Sequence, residues 1–186
     1  MTRYVAFLRG INLGKRRLEM SRLRDVFDAL GFDDVDTFIA SGNVLFSTRE
    51  RNTRTLEARI AAHLAQKLGY DVDTFVRTLE HVEAIARSTP FPEASESCTV
   101  TVAFMHDELD ARAAALLAGI ETETDAFIVK STEYFWMCTT RTSDSRIWTL
   151  PEVKALKLPS ATMRNMTSIR KLAARHGRGV VTPVRQ

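Results

Sequence analysis

The sequence predicts an α+β chain of two βαββα-type halves, and three observations predict it. From Arg3 to Arg77 the apolar pattern runs strand, helix, strand, strand, helix, strand. The same order restarts at Thr99 and runs through a second βαββα before it departs. Gly31, Gly69 and Gly119 each stand where an apolar helical face ends. The chain has 186 residues, 45% of them hydrophobic, which is enough to bury a sizeable core. One domain of two halves and two small domains both fit that size.

The elements follow in order. Residues 3–9 carry the β-rich Tyr4, Val5, Phe7 and Leu8 and read as a strand. Met20, Leu23, Phe27 and Leu30 recur at three and four and mark a helix. Val35 to Ala40 and Val44 to Ser47 are strands joined by a Ser41-Gly42-Asn43 turn. Leu56, Ile60, Leu64 and Leu68 mark a second helix, and Val72 to Arg77 a fourth strand. This is the split βαββαβ order of ferredoxin-like folds. A right-handed crossover makes strands one and two parallel, with strand three between them. The loop after strand one and the hairpin tip then share one edge of the sheet with the start of the first helix.

Thr78 reads as a cap for a helix bearing Leu79, Val82 and Ile85, and Thr89-Pro90-Phe91-Pro92 stops it. Glu93 to Ser97 is a polar linker. Thr99 to Met105 is a fifth strand, and Leu109, Ala113, Leu116 and Leu117 mark a helix. Ala126 to Lys130 and Glu133 to Thr139 form a hairpin around Ser131-Thr132. Thr149 and Glu152 stand at capping-box spacing before a short helix. Thr167 or Ser168 caps a last helix, and Val180 to Val184 can add a strand. The organisation expected is residues 1–77 as the complete ferredoxin-like half and 78–98 as helix and linker. Residues 99–186 form the diverged second half, with extra C-terminal helices and a basic end.

Charge is unevenly placed. Glu152 is the last acid, and residues 153–186 hold eight of the 26 basic residues. Residues 1–152 keep 18 basic against all 23 acidic residues, a net of −5. Within that acidic part, Arg9 to Arg24 carries six basic residues against Glu19. No apolar run approaches the roughly 18 residues of a membrane span, and the apolar start is too short for a signal peptide. Cys98 and Cys138 read as free thiols of a cytoplasmic chain. The four histidines show no ligand spacing, so no metal is expected. No cofactor can be named.

Leu8-Arg9-Gly10-Ile11-Asn12-Leu13-Gly14 resembles the opening motif of the bacterial domain of unknown function 1697 family. Gly31-Phe32 with Thr37-Phe38-Ile39-Ala40-Ser41-Gly42-Asn43-Val44 is similar to its second motif. Thr162-Met163-Arg164-Asn165-Met166-Thr167, followed by Lys171-Leu172, is similar to its third. The resemblance runs nearly end to end and implies a two-part α+β fold, with no established biochemical role. Met166 stands where that family often has tryptophan. Lys15-Arg16-Arg17 replaces a second glycine and a less charged segment.

Each motif has a structural reading beside a functional one. Gly10 to Lys15 falls short of a phosphate-binding P-loop, because its glycines are one residue too close and Arg16 occupies the serine or threonine position. It is either a tight strand-to-helix turn or an anion cradle. Ser41-Gly42-Asn43 is a turn that also offers hydrogen bonds. Arg164 before a helix opposes the dipole unless an anion or carboxylate is near. Tyr134 and Trp136 share a strand face and read as core. Aromatics of an RNA-binding sheet would sit on exposed faces of strands one and three, where only Tyr4 is a possible match.

The expectation is a binding module for a small anionic, phosphorylated or nucleotide-like ligand at a basic polar cleft between the halves. Its candidate residues are Arg9, Asn12, Lys15, Ser41, Gly42, Asn43, Arg164, Asn165 and Thr167. An enzyme acting on a phosphorylated small molecule and a nucleic-acid binder using the basic C-terminal block are the alternatives. No general base is evident, and the acidic bulk argues against a broad nucleic-acid footprint.

Overall fold

The computed structural model describes residues 1–12, 18–39, 42–95 and 97–177. The possible strand Val180–Val184 lies outside them. The chain forms two compact units, Met1–Ile85 with the segment from Leu172 onward, and Ala86–Lys171.

The first unit contains β1 (Thr2–Arg9), α1 (Met20–Asp28), β2 (Asp33–Phe38), β3 (Asn43–Thr48), α2 (Thr53–Leu68), β4 (Asp73–Thr78) and α3 (Leu79–Arg87), whose last two residues fall in the second. Its sheet order is β2-β3-β1-β4, with every neighbour antiparallel. β1 and β2 are therefore parallel with β3 between them, the ferredoxin-like arrangement that the element order implies. Alternation sends Tyr4, Ala6 and Leu8 toward α1 and α2, where they meet Leu23, Phe27, Leu56, Ile60 and Leu64. Val5, Phe7, Leu45 and Phe75 face the other way and are buried as well. Burial on both faces is why these strands read as continuous apolar runs.

The sheet edges are guarded differently. β2 carries Asp33, Asp34 and Asp36, and its register shifts between Asp33 and Asp36. Charges and an irregularity of this kind discourage edge-to-edge pairing. At the other edge, the N–H of Val76 in β4 donates to Glu57 Oε1 of α2 at 2.9 Å. Glu57 is itself buried and lies 3.7 Å from the Arg77 guanidinium. Glu57→Ala strands the buried Val76 N–H and is expected to cost about 1–3 kcal/mol, with Glu57→Gln costing less. Urea midpoints of the two variants check this.

The second unit carries β5 (Thr99–Met105), α4 (Ala111–Ala118), β6 (Asp125–Lys130), β7 (Glu133–Cys138), a 3-10 turn (Ile147–Thr149), α5 (Pro151–Ala155), β8 (Ala161–Asn165) and the start of α6 (Met166–His176). Its sheet order, β6-β7-β5-β8, repeats the first. β8 extends the repeat one strand beyond the βαββα read in the sequence. Its five residues, Ala-Thr-Met-Arg-Asn, lack the apolar run that announces a strand, because they form an edge. Tyr134 and Trp136 pack with Phe127 and Trp148 in the helix-side core.

Register exposes a residue-level correspondence that the linear sequence hides. Tyr4 pairs with Phe46 and Thr78, while Thr101 pairs with Trp136 and Asn165. Thr78 and Asn165 are thus equivalent, and each ends a fourth strand and caps the helix that follows. Thr78 Oγ1 accepts from the His81 N–H at 3.1 Å, and Asn165 Oδ1 from the Thr167 N–H at 2.8 Å. The cap of α6 is therefore Asn165, not Thr167 or Ser168, and the helix starts earlier than expected. The capping box before α5 is also absent. Leu150 occupies the N-cap, and the Thr149 hydroxyl donates to the Arg146 carbonyl at 2.6 Å.

Candidate functional site

The candidate residues fall into two groups, one in each unit. In the first unit, the end of β1 meets the β2–β3 turn. The Leu8 N–H donates to the Gly42 carbonyl at 2.8 Å, and Asn43 lies opposite Phe7. Arg9 is exposed at the strand end. Asn12 uses Oδ1 to accept the Leu18 N–H at 2.7 Å. Asn43 is buried and donates Nδ2–H to the Phe38 carbonyl at 3.1 Å, closing the turn. Gly42 has φ +73°, and a Cβ there would lie 2.8 Å from Ile11 Cγ2. Asn12, Gly42 and Asn43 thus build the edge, while Arg9 projects from it. Lys15 and Ser41 lie outside the described residues.

In the second unit, Arg164 differs from its neighbours. Its NH1 donates to Thr162 Oγ1 at 2.9 Å and to the Met163 carbonyl at 2.8 Å. Desolvation pushes its pKa down to about 10, so it keeps its charge at neutral pH. By register it is equivalent to Arg77, which also donates to the preceding carbonyl, that of Val76, at 3.0 Å. An arginine repeated at the same place in both fourth strands is explained by the strand, and Arg164 does not line the cavity described next.

That cavity, about 530 Å³, opens where α6 begins. Thr89, Phe91 and Pro92 form one wall, Ser95, Ser97 and Cys98 a second, and Asn165, Met166, Thr167 and Arg170 a third. Ser95 Oγ lies 2.7 Å from Ser97 Oγ and 3.3 Å from Cys98 Sγ. The first turn of α6 holds no acid, and none of the described lining residues is acidic. Arg170, exposed, places a cation one turn along the same helix; its Nε donates to the Ala86 carbonyl at 3.4 Å. The helix start adds the partial positive charge of its first turn, where Asn165 Oδ1 already takes the Thr167 N–H. Hydroxyls, N–H groups and a guanidinium are donors suited to an oxyanion. Met166 is 1% exposed, so the position resembling the family's tryptophan is a core position that also forms cavity wall.

Of the sequence-derived candidates Asn165 and Thr167 line this cavity, and Ser95, Ser97, Cys98 and Arg170, which line it too, are not among those candidates. In the sequence the serines belong to a polar linker and Cys98 reads only as a free thiol. Their return to the α6 start depends on β5 pairing with β8, which no local pattern shows. A second cavity, about 540 Å³, lies between α4 and α5 and touches none of the sequence-derived candidates. Tyr4, the one residue suited to an RNA-binding sheet, is core, with its hydroxyl donating to the Glu50 carbonyl at 2.9 Å. Among the described residues no cluster of three His, Cys, Asp or Glu side chains could hold a metal ion, and no helix is long and apolar enough to cross a membrane.

No curated protein matches the chain. Among solved structures it is similar to the conserved bacterial protein SP0830 from Streptococcus pneumoniae, at 24% identity and a TM-score of 0.71, with 92% of this chain and 98% of that one covered. At that identity the likeness is one of fold. A family model matches residues 1–135, and on that match the chain belongs to the family described as Protein of unknown function (DUF1697).

Proposed function

We propose that the protein binds a small phosphorylated or nucleotide-like anion in the cavity at the start of α6. The observation that carries this reading is the donor set. Within about 530 Å³ it combines a helix start free of acid, serine and threonine hydroxyls and Arg170. The volume suits a metabolite-sized ligand. Two unpaired thiols fit a reducing, cytoplasmic setting.

The test is a thermal-shift titration with inorganic phosphate, then nucleotides and sugar phosphates. At a hundredfold excess over Kd a ligand stabilises by about 2.7 kcal/mol. That raises Tm by roughly 5–10 °C for a chain of this size. Arg170→Met is expected to cut the shift by half or more. Its effect on the free protein should stay within about 2–4 °C, as for other surface substitutions. Cys98 is half-buried in the cavity wall and Cys138 is buried, so ligand should also slow thiol labelling at Cys98. A full shift in Arg170→Met, or no shift with any of these anions at millimolar concentration, removes the proposal.

A further inference from the structure

We infer that the face formed by α4 and α5 is a self-association surface, and that its occupant is the same face of a second copy of this chain. The repeat supplies the first reason. At equivalent places in the two βαββαβ orders, α2 spans 16 residues and α5 only five. α2 covers the flank of α1 with Leu56, Ile60 and Leu64, whereas α5 buries Val153 alone. The second unit therefore lacks three turns of helix that the first uses as cover.

α4 is built as though that cover existed. Its sequence is Ala-Arg-Ala-Ala-Ala-Leu-Leu-Ala, yet only Leu117 is buried, and Leu116 is 51% exposed. A helix apolar around most of its circumference belongs against other protein. Leu116 lines a groove of about 540 Å³ together with Ala113, Ile120 and Leu156. One patch thus carries both a protruding leucine and a slot that accepts one. A two-fold axis satisfies both at once, since each Leu116 enters the groove of the other copy.

Charge points to the same occupant. Arg112 and Glu152 both line the groove. Asp110 lines it as well, and its Oδ1 caps α4 at the Ala113 N–H, 2.8 Å away. A second copy can set its Arg112 against Glu152 and its Glu152 against Arg112, whereas a partner of one sign would leave one of them opposed. Alanines let the two helices approach to about 8 Å. An eight-residue helix is about 12 Å long, so the footprint falls below the roughly 800 Å² per partner of a standard interface. The dimer is accordingly weak and concentration-dependent.

Sedimentation velocity on the full chain, from about 5 to about 500 µM, tests this across the range expected of a small interface. The wild type is expected to shift from monomer toward dimer. Leu116→Glu, at an exposed helical position with a good helix former, should keep the far-UV CD and Tm and weaken association at least tenfold. Arg112→Glu and Glu152→Arg should each weaken it, and their equimolar mixture should associate more tightly than either alone. A single monomer mass across the range overturns the inference. So does a dimer indifferent to Leu116→Glu, or charge variants whose mixture shows no recovery.

Discussion

Gly42→Ala is expected to lower the melting temperature of the first unit by roughly 4–20 °C, while Gly31→Ala lowers it by only about 2–8 °C. The two glycines have almost the same backbone, φ +73° and +71°. Each alanine therefore carries the cost of about 1–2 kcal/mol for a left-handed residue with a Cβ. Their surroundings differ. A Cβ at Gly31 meets nothing within 4 Å. At Gly42 it would lie 2.8 Å from Ile11 Cγ2, 3.2 Å from Leu8 Cβ and 3.3 Å from the Leu8 carbonyl oxygen. Leu8 is held in β1, and its N–H already bonds the Gly42 carbonyl. Relief means parting the strand from the hairpin, an overpacking cost of about 1–3 kcal/mol beyond the backbone term. Differential scanning calorimetry of the pair separates these effects. Equal losses would show that Gly42 serves the turn alone and that the strand end yields freely.

Asp125→Ala should destabilise the second unit by about 3–4 kcal/mol, a fall in Tm of roughly 6–16 °C. Asp125 is 3% exposed. Its Oδ1 accepts from Trp136 Nε1 and Ser145 Oγ, both at 2.8 Å, and its Oδ2 from Thr124 Oγ1 at 2.6 Å. Burial alone would raise its pKa. The hydrogen bonds from Thr124, Ser145, Trp136 and Cys138 outweigh burial and hold it below the usual 3.8. Removing the carboxylate leaves the Trp136 N–H without its acceptor inside the core, where the indole cannot turn elsewhere. Asp125→Asn should cost only about 1–2 kcal/mol. One amide oxygen can keep Trp136 and Ser145, and the Thr124 hydroxyl can rotate to accept from the amide nitrogen.

The two Asp125 variants also carry a pH signature. Because the folded pKa is depressed, the stability that Asp125 contributes is complete above the unfolded pKa of about 4. It is lost as pH falls through the lower folded value. The gap between wild type and Asp125→Asn should therefore narrow from pH 5 toward pH 2, as read from urea midpoints. A gap that stays constant would mean that the charge is not what the donors stabilise.

His176 in the first unit shifts in the same direction for a different reason. Burial lowers its pKa, Asp36 at 3.9 Å raises it in part, and Arg175 and Arg3 lower it further. A histidine held neutral costs stability once pH falls below its unfolded value near 6.5, because the unfolded chain then takes up the proton more readily. Its ring also packs edge-on against Phe38, which anchors the last turn of α6 on β2.

Much of this was legible in the residues. Alternation and three-and-four spacing located β1, α1, β3, α2, β4, β5 and the β6–β7 hairpin, because each of these elements buries a face and burial imposes a period. The topology of the first sheet followed from the handedness of one crossover. The same residues announced Thr78 as a cap and named Asn165 and Thr167, which do line the cavity at the α6 start. β8 escaped, since an edge strand of five mostly polar residues needs no period. The equivalence of Arg77 with Arg164, and of Thr78 with Asn165, also escaped, because it lives in the pairing register and not in residue identity.

The class of fold, the order of elements and the places where the backbone must turn are written in the residues, since they depend on local sterics and on which faces leave water. Folding in three dimensions settles which polar side chains are committed to internal bonds. It turns Asn12 and Asn43 to backbone hydrogen bonds, draws Arg164 into a desolvated strand contact, and brings Ser95, Ser97 and Cys98 to the cavity that Arg170 also lines. The last two of these outcomes depend on pairing between strands about 60 residues apart, β5 with β8, and contacts at that separation leave no trace in any short window of sequence.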